Sequence, residues 1–505
     1  LLLFAFGSWT LFGSIVLVYL PKSAGWPSLT LLPLFVALLA SISNENHFVA
    51  ANAGPPLAST RPALADDFRA WQAARGVHGG EPVYLVAAAG GASRAAFWTG
   101  ALLLELERQA RSQGKRFAPN VYAMSGVSGG SLGLAAFAGS LTVADPDYGR
   151  TAAQVGGFLG QDYMAPLVGY LLYPDLLARF WPFPCRACDR SLALEGAWAR
   201  GWAQRFPSSP VRDWFTRPLL TLGKDAEAAA GATHPQRLPR LLLNATSASE
   251  GRRVVQANLA FTPPQAYDLF GSAPGDLPLD TSRLTLAQAV HNSARFPYIS
   301  PAGLVRTTTG KPWDYLVDGA YFENSGAATL NAMIAEIVRL GVVRPEQLVV
   351  LLIENEPATQ VQWICPTRAQ LRDAVSGPAP RPLSVGLRMP WQPPLRPGDK
   401  YVPPVPELSL PFFALYQTRT ARAQAAEHET TRLLGGCGSG RVVELRYPWT
   451  AEGRKPPLSW FLNAGTTRAM AGMLQRKESE APEVDAFLAN WQRVRRMVLG
   501  EGARP

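Results

Sequence analysis

Apolar residues fall into three kinds of run along this chain, and each predicts a different element. Residues 1 to 20, LLLFAFGSWTLFGSIVLVYL, carry no charge and are long enough to cross a bilayer. Pro21 to Trp26 makes a turn, and Pro27 to about Ser43 is a second apolar run of roughly spanning length. The simplest expectation is a transmembrane helical hairpin over 1–43; a buried hairpin in a soluble protein is its rival. A signal peptide would need a basic start and a shorter apolar core, and the missing initiator methionine leads us to expect that the sequence starts inside a longer chain with spans upstream. Lys22 is alone in the hairpin loop and the next basic residue is Arg61, so positive charge does not orient the hairpin. Residues 44–80 are polar and proline-punctuated, which predicts a linker with one amphipathic helix over 65–74.

The second kind of run is short and β-rich, and it alternates with the third kind, which has helical periodicity. Strands are predicted over 82–88, from Val121, over 241–245 and 254–259 as a hairpin, over 313–318, 348–354 and 441–447. Between and after them lie helical stretches, including 284–292, 327–340, 416–434, 464–477 and 484–499. Such alternation predicts an α/β fold with a mostly parallel central sheet, as one domain over 81–505 with a proline-rich insertion at about 357–410. Residues 158–182 are apolar and aromatic but broken by Pro166 and Pro174, too interrupted to span a membrane. They either line a lipid-facing mouth or form core helices.

Composition narrows the class. At 505 residues the chain can bury a sizeable core, and 47% hydrophobic with only 17% charged is low in charge for a soluble protein. A net charge of +10 suits anionic membrane surfaces, whereas scattered arginines without a dense basic block do not suit nucleic acid. Four cysteines are no disulfide framework. Cys185 and Cys188 form a C-x-x-C, but Cys365 and Cys437 lack the paired spacing of a zinc site, so a local disulfide or plain thiols are expected. No calcium-loop or other metal motif is present, and no cofactor is expected.

Candidate chemistry centres on Gly126, Val127, Ser128, Gly129 and Gly130, a G-x-S-x-G between a buried strand and a helix rich in small residues. A serine on such a turn is exposed at a helix N-terminus, and the glycines let neighbouring backbone approach. Upstream, the strand at 82–88 leads through Ala89, Gly90, Gly91, Ala92, Ser93 and Arg94 into a helix. A small-residue loop there aims unpaired N–H groups at an anion or oxyanion, and without G-K-[ST] it does not match a phosphate loop. Downstream, a strand ends on Asp318 and Gly319, where a carboxylate can project into a cleft or simply make an Asp-Gly turn. A serine, acid, histidine order would leave His428, in the polar helix RTARAQAAEHETTRLL, as the histidine after Asp318, and solvent exposure is expected for it.

These pieces together resemble the patatin-like phospholipases, which include the cytosolic phospholipase A2 catalytic domain. Gly90 to Arg94 resembles that family's glycine-rich oxyanion loop, Gly126 to Gly130 its nucleophile elbow, and Asp318, Gly319 and Ala320 its D-G-[AG]. SARFP at 293–297 and LLLNATSASEGRRVV also resemble family blocks, and the match spans 81–330. The apolar start is similar to a bacterial subgroup with N-terminal transmembrane helices. The resemblance implies a three-layer sandwich and a lipid acyl hydrolase with a Ser128 and Asp318 dyad, Asp318 acting as general base. It places the oxyanion on the N–H groups of Gly90, Gly91, Ala92 and Gly129, with Arg94 as loop brace or lipid-phosphate contact. Ala92 departs from the usual third glycine, and a methyl group there is tolerable only at ordinary dihedrals. Acyl transfer, a Ser-Asp-His esterase and an inactive membrane scaffold are the alternatives. The expected location is the bacterial inner membrane, with membrane lipid as substrate; sparse cysteines and the absence of a cleavable signal favour a cytoplasmic catalytic domain.

Overall fold

Two strands whose residues are all buried, β1 (Val83–Ala88) and β10 (Leu348–Glu354), show how the domain is built. A strand with no polar alternation must be covered on both faces. The others are β2 (Val121–Val127), β3 (Arg240–Ser247), β4 (Arg253–Ala257), β5 (Ala266–Asp268), β6 (Ser272–Ala273), β7 (Leu277–Pro278), β8 (Gly303–Arg306), β9 (Pro312–Asp318) and β11 (Val442–Arg446). This is a computed structural model, and it describes residues 2–42, 45–49, 61–75, 82–145, 148–222, 237–273, 277–296, 299–356, 406–448, 456–478 and 481–501.

The main sheet runs in the order β11-β10-β1-β2-β3-β4-β5. From β11 to β3 all neighbours are parallel. Beyond that the sheet becomes mixed: β4 is antiparallel to β3, β9 is antiparallel to the far end of β3, and β8 to β9. The fold is therefore α/β with a mostly parallel mixed sheet. On one face Tyr84, Val86 and Ala88 pack with helices Ala92–Ser112, Gly129–Ser140 and Pro482–Leu499. On the other, Val83, Leu85 and Ala87 pack with Leu64–Ala74, Ala327–Arg339 and Pro406–Leu433.

Two sequence expectations change here. The stretch read as a linker is, where described, part of the domain. Its helix Leu64–Ala74 buries Phe68 and Trp71 against Tyr122, whose hydroxyl donates to Asp67 at 3.1 Å. Further upstream the Val49 N–H donates to the Leu304 carbonyl of β8 at 2.9 Å, which adds that segment to the sheet edge. An amphipathic helix needs a partner for its apolar face, and the sheet was uncovered there.

The expected pair of spanning helices also does not form. Among the described residues one helix, Leu3–Ser23, is long and apolar enough to cross a membrane, and it is almost wholly exposed. The second run forms only Leu32–Ala40, nine residues, or about 14 Å against the roughly 30 Å of a hydrocarbon core. Pro27 and Pro33 confine it: the chain turns back, with the Leu29 N–H donating to the Leu17 carbonyl at 2.8 Å, and helix resumes only around the second proline. Of the proline-rich insertion, 357–405 lies outside the described residues; 406–410 already belong to the long helix. Residues 158–182 fall into the end of Tyr148–Leu159, then Met164–Leu172 and Pro174–Ala178. Phe158, Tyr163 and Leu167 enter the core, while Leu177 and Trp181 remain exposed. Cys185 and Cys188 are joined by a disulfide, and Cys437 is also disulfide-bonded.

Candidate active site

Sheet register brings the three sequence motifs to one place. On β3, Asn244 pairs with Val127 and the next residue, Ala245, pairs with Asp318. The end of β2 and the end of β9 therefore meet along β3, and the residue that follows β2 is Ser128. In the neighbouring strand, Ala88 of β1 pairs with Gly126, so the loop after β1 arrives beside the same turn.

Ser128 has φ 51° and ψ −123°, a conformation that side chains rarely adopt, and helix Gly129–Ser140 begins at once. Its backbone is held from outside: the Ser128 N–H donates to the Ser293 carbonyl at 3.1 Å and to the Ser293 hydroxyl at 2.9 Å. Two residues on, the Arg295 carbonyl accepts the Asp318 N–H at 3.0 Å. One short segment thus straps both motifs. It follows helix Leu286–Ser293, whose start is fixed by a capping box between Thr285 and Gln288. The strap is anchored by the buried Arg295 side chain, which donates to Asn292 Oδ1 at 2.8 Å, Ser191 Oγ at 3.1 Å and the Pro301 carbonyl at 3.0 Å. SARFP pointed to this segment in the sequence, but gave no sign that its carbonyls hold the serine and the aspartate; Pro297 itself lies outside the described residues.

The Asp318 carboxylate is buried and accepts the Ala320 N–H at 2.8 Å, and the Ser128 hydroxyl is near enough to act on it. Burial pushes its pKa up to about 6, against the opposing pull of the Ala320 N–H, the Ser128 hydroxyl and the Arg419 charge. A serine hydroxyl beside a buried carboxylate whose pKa is raised is the arrangement that nucleophile-and-base chemistry requires. His428 is exposed, whereas the buried His291 bonds Glu195 and Ser300. Among the described residues no histidine bonds Ser128 or Asp318.

Of the four expected oxyanion donors, one is already engaged. The Gly90 N–H donates to the Asn324 carbonyl at 2.9 Å, so it does not face the serine. Ala92 and Gly129 each begin a helix, where N–H groups have no intrahelical acceptor. They are close: a β-carbon at Gly129 would strike the Ala92 backbone. Gly91, with φ 153°, caps the first of these helices. Gly130 backs the turn against the Ala88 and Ala89 carbonyls, and Gly319 and Ala320 form the turn that follows Asp318.

Arg94 is buried and acts on the loop. Its Nε donates to Asn355 Oδ1 at 2.7 Å, and Asn355 Nδ2 donates to the Gly90 carbonyl at 2.9 Å. Of the two roles considered from sequence, bracing is the one these contacts perform. Asn355 and Asn324 carry no sequence signal of this kind, because each reaches the loop across the sheet from a distant position.

Ala92 has φ 50°, the dihedral at which a methyl group is strained. Ala92→Gly should relieve about 1–2 kcal/mol of that strain, offset by about 0.4–1 kcal/mol from the freer unfolded chain. The expected result is unchanged chemistry and equal or slightly higher stability in a denaturant titration. A clear loss of stability would show that the methyl group packs well enough to outweigh its strain.

Among the described residues no group of three or more His, Cys, Asp or Glu is arranged to hold a metal ion. No protein-family model matches this chain, and no curated protein matches it. Among solved structures it is similar to human GIVD cytosolic phospholipase A2, at 16% identity with a TM-score of 0.27, over 60% of this chain and 51% of that one. The match thus spans about half the length of that protein.

Proposed function

We propose that this chain is a membrane-anchored serine acyl hydrolase of the patatin-like kind, cleaving ester bonds of phospholipids or other lipids. The observation that carries the reading is the juxtaposition along β3 of Ser128, on a strained turn at a helix N-terminus, and the buried Asp318. Ser128 Oγ attacks the ester carbonyl carbon as its proton passes to Asp318. The oxyanion that forms is stabilised by the N–H groups of Ala92 and Gly129, with Gly91 adjoining. Collapse breaks the bond to the leaving alcohol, which takes the proton from Asp318 and leaves an acyl-serine. Water then gives a proton to Asp318 and attacks the acyl carbon; release of the fatty acid returns that proton to Ser128.

The exposed His428 supports a two-residue site over a Ser-Asp-His triad. An inactive scaffold would not need the strained Ser128 backbone, and acyl transfer differs only in which nucleophile enters last. The apolar helix Leu3–Ser23 supports anchoring. The Cys185–Cys188 disulfide favours an oxidising compartment, and so a catalytic domain on the outer face of the inner membrane, over the cytoplasmic side that sparse cysteines favoured.

The test is labelling by a fluorophosphonate probe, followed by fatty-acid release from a panel of phospholipids. The expected result is labelling at Ser128 and release of fatty acid, both retained in His428→Ala. An unlabelled, folded chain would return the scaffold reading, and loss of release in His428→Ala would return the triad.

A further inference from the structure

The segment after the core helices carries features that the catalytic site does not use. Leu177, at the end of helix Pro174–Ala178, and Trp181 and Phe183 just after it are 52%, 60% and 63% exposed, and the rings of Trp181 and Phe183 pack edge to face at 6.1 Å. Exposed aromatic and aliphatic side chains clustered this way mark an interaction surface. Between Tyr163 and Cys188 the sequence has one acidic residue, Asp175, and it is buried; Arg179 and Arg186 are basic.

What covers the patch follows from its neighbours. The apolar N-terminal helix docks on the start of this segment: Trp9 Nε1 donates to the Leu172 carbonyl at 2.9 Å, and the Trp9 ring stacks on Tyr173 at 6.2 Å. The far end of the apolar region returns to the same segment, where the Cys185 N–H donates to Asn46 Oδ1 at 2.7 Å. Trp9 is six residues from Leu3, so this contact lies about 9 Å along the helix from its start. A helix crossing a bilayer would hold the docked residues Leu172 and Tyr173 about 9 Å inside the hydrocarbon, so the chain that continues from them would leave it through the headgroup layer. Tryptophan is favoured where that chain crosses the interface, and arginines suit anionic headgroups.

We propose that residues 173–184 form a lip immersed in the lipid bilayer, continuous with the apolar N-terminal helix. Together they make one membrane-binding face. The lip also adjoins the strap over the active site. Asp175 is paired with Arg190, whose Nε donates to the Ile299 carbonyl at 3.0 Å, three residues beyond the half-exposed Phe296. Phe296 in turn stacks on Tyr321 at 6.2 Å, beside Gly319 and Ala320. These contacts link the lip to the segment that follows the strap on Ser128.

The proposal rests on the membrane-anchor reading, and its test separates the two without using hydrolysis. The described residues include no free cysteine, so single cysteines introduced by Leu177→Cys, Leu11→Cys and Ser112→Cys can each carry an environment-sensitive fluorophore. The full chain is reconstituted in phosphatidylcholine and phosphatidylglycerol vesicles with or without brominated acyl chains. The lip predicts loss of fluorescence in brominated vesicles at positions 177 and 11, and none at 112. Quenching at 11 without quenching at 177 overturns the lip and leaves the anchor standing. Quenching at neither overturns both, and quenching at 177 alone overturns their continuity.

Discussion

Replacing Asp318 by asparagine is expected to abolish ester hydrolysis and, at neutral pH, to make the folded chain more stable. Loss of the base should lower the rate by about 10²–10⁴-fold. The gain in stability comes from the same property that makes the carboxylate useful. Burial lifts its pKa from 3.8 to about 6. An acid whose pKa is raised by folding binds its proton more tightly in the native state, so the native state loses stability as pH rises through the window between the two values. Below about pH 4 both states are protonated and there is no penalty. Above pH 6 the penalty is complete, on the order of 3 kcal/mol at most for a shift of about two units. Asparagine cannot ionise and still offers an oxygen to the Ala320 N–H, so the variant should be the more stable form at pH 7 and lose that advantage near pH 4. Denaturant titrations across pH 4 to 8 check the stability. Under the proposed function, kcat/KM for ester hydrolysis by the native chain should fall on the acid side with a midpoint near 6, where Asp318 takes up its proton. Full activity in Asp318→Asn would sink the dyad. A stability difference that did not change with pH would show that the carboxylate is solvated.

How much of this was legible in the sequence depended on how local each feature is. The elbow is written in five consecutive residues, and a buried strand followed by glycines and small residues leaves few other ways to arrange Ser128. Asp318 at a strand end was equally local. The β10 sequence, LVVLLIE, is apolar up to its last residue, which required burial on both faces and so placed helices on either side of the sheet. What failed to show was anything made between distant positions. The strap on Ser128 comes from Ser293, the brace on Arg94 from Asn355, and the Gly90 N–H is engaged by Asn324. None of these partners belongs to a periodic pattern that would reveal it. The hairpin misread has a different cause. Hydropathy sees apolar length, whereas helix length also depends on Pro27 and Pro33, which left Leu32–Ala40 as one short helix. The amphipathic helix expected within the linker does have an apolar face, formed by Leu64, Phe68 and Trp71, but its sequence does not say which surface that face meets.

Ser128→Ala and Ser128→Gly should be alike in activity and different in stability, and the comparison separates chemistry from strain. Both remove the nucleophile, so hydrolysis should fall by about 10⁴-fold or more in each, and fluorophosphonate labelling should vanish. Both also take away the hydroxyl whose nearness pulls the Asp318 pKa down, so Asp318 should titrate above about 6 in either variant. They part at the backbone. Alanine keeps a β-carbon at φ 51°, where it costs about 1–2 kcal/mol, and glycine does not. Glycine gives back about 0.4–1 kcal/mol through its freer unfolded chain. The glycine variant should therefore be the more stable of the two, by up to about 1.5 kcal/mol. Its backbone N–H still has the Ser293 carbonyl and hydroxyl as acceptors, so the turn should survive the substitution. Matched midpoints in a denaturant titration would mean that the turn relaxes once the hydroxyl is gone. In that case the attraction of the hydroxyl to Asp318, rather than the strap at 293–295, is what holds Ser128 in its strained conformation.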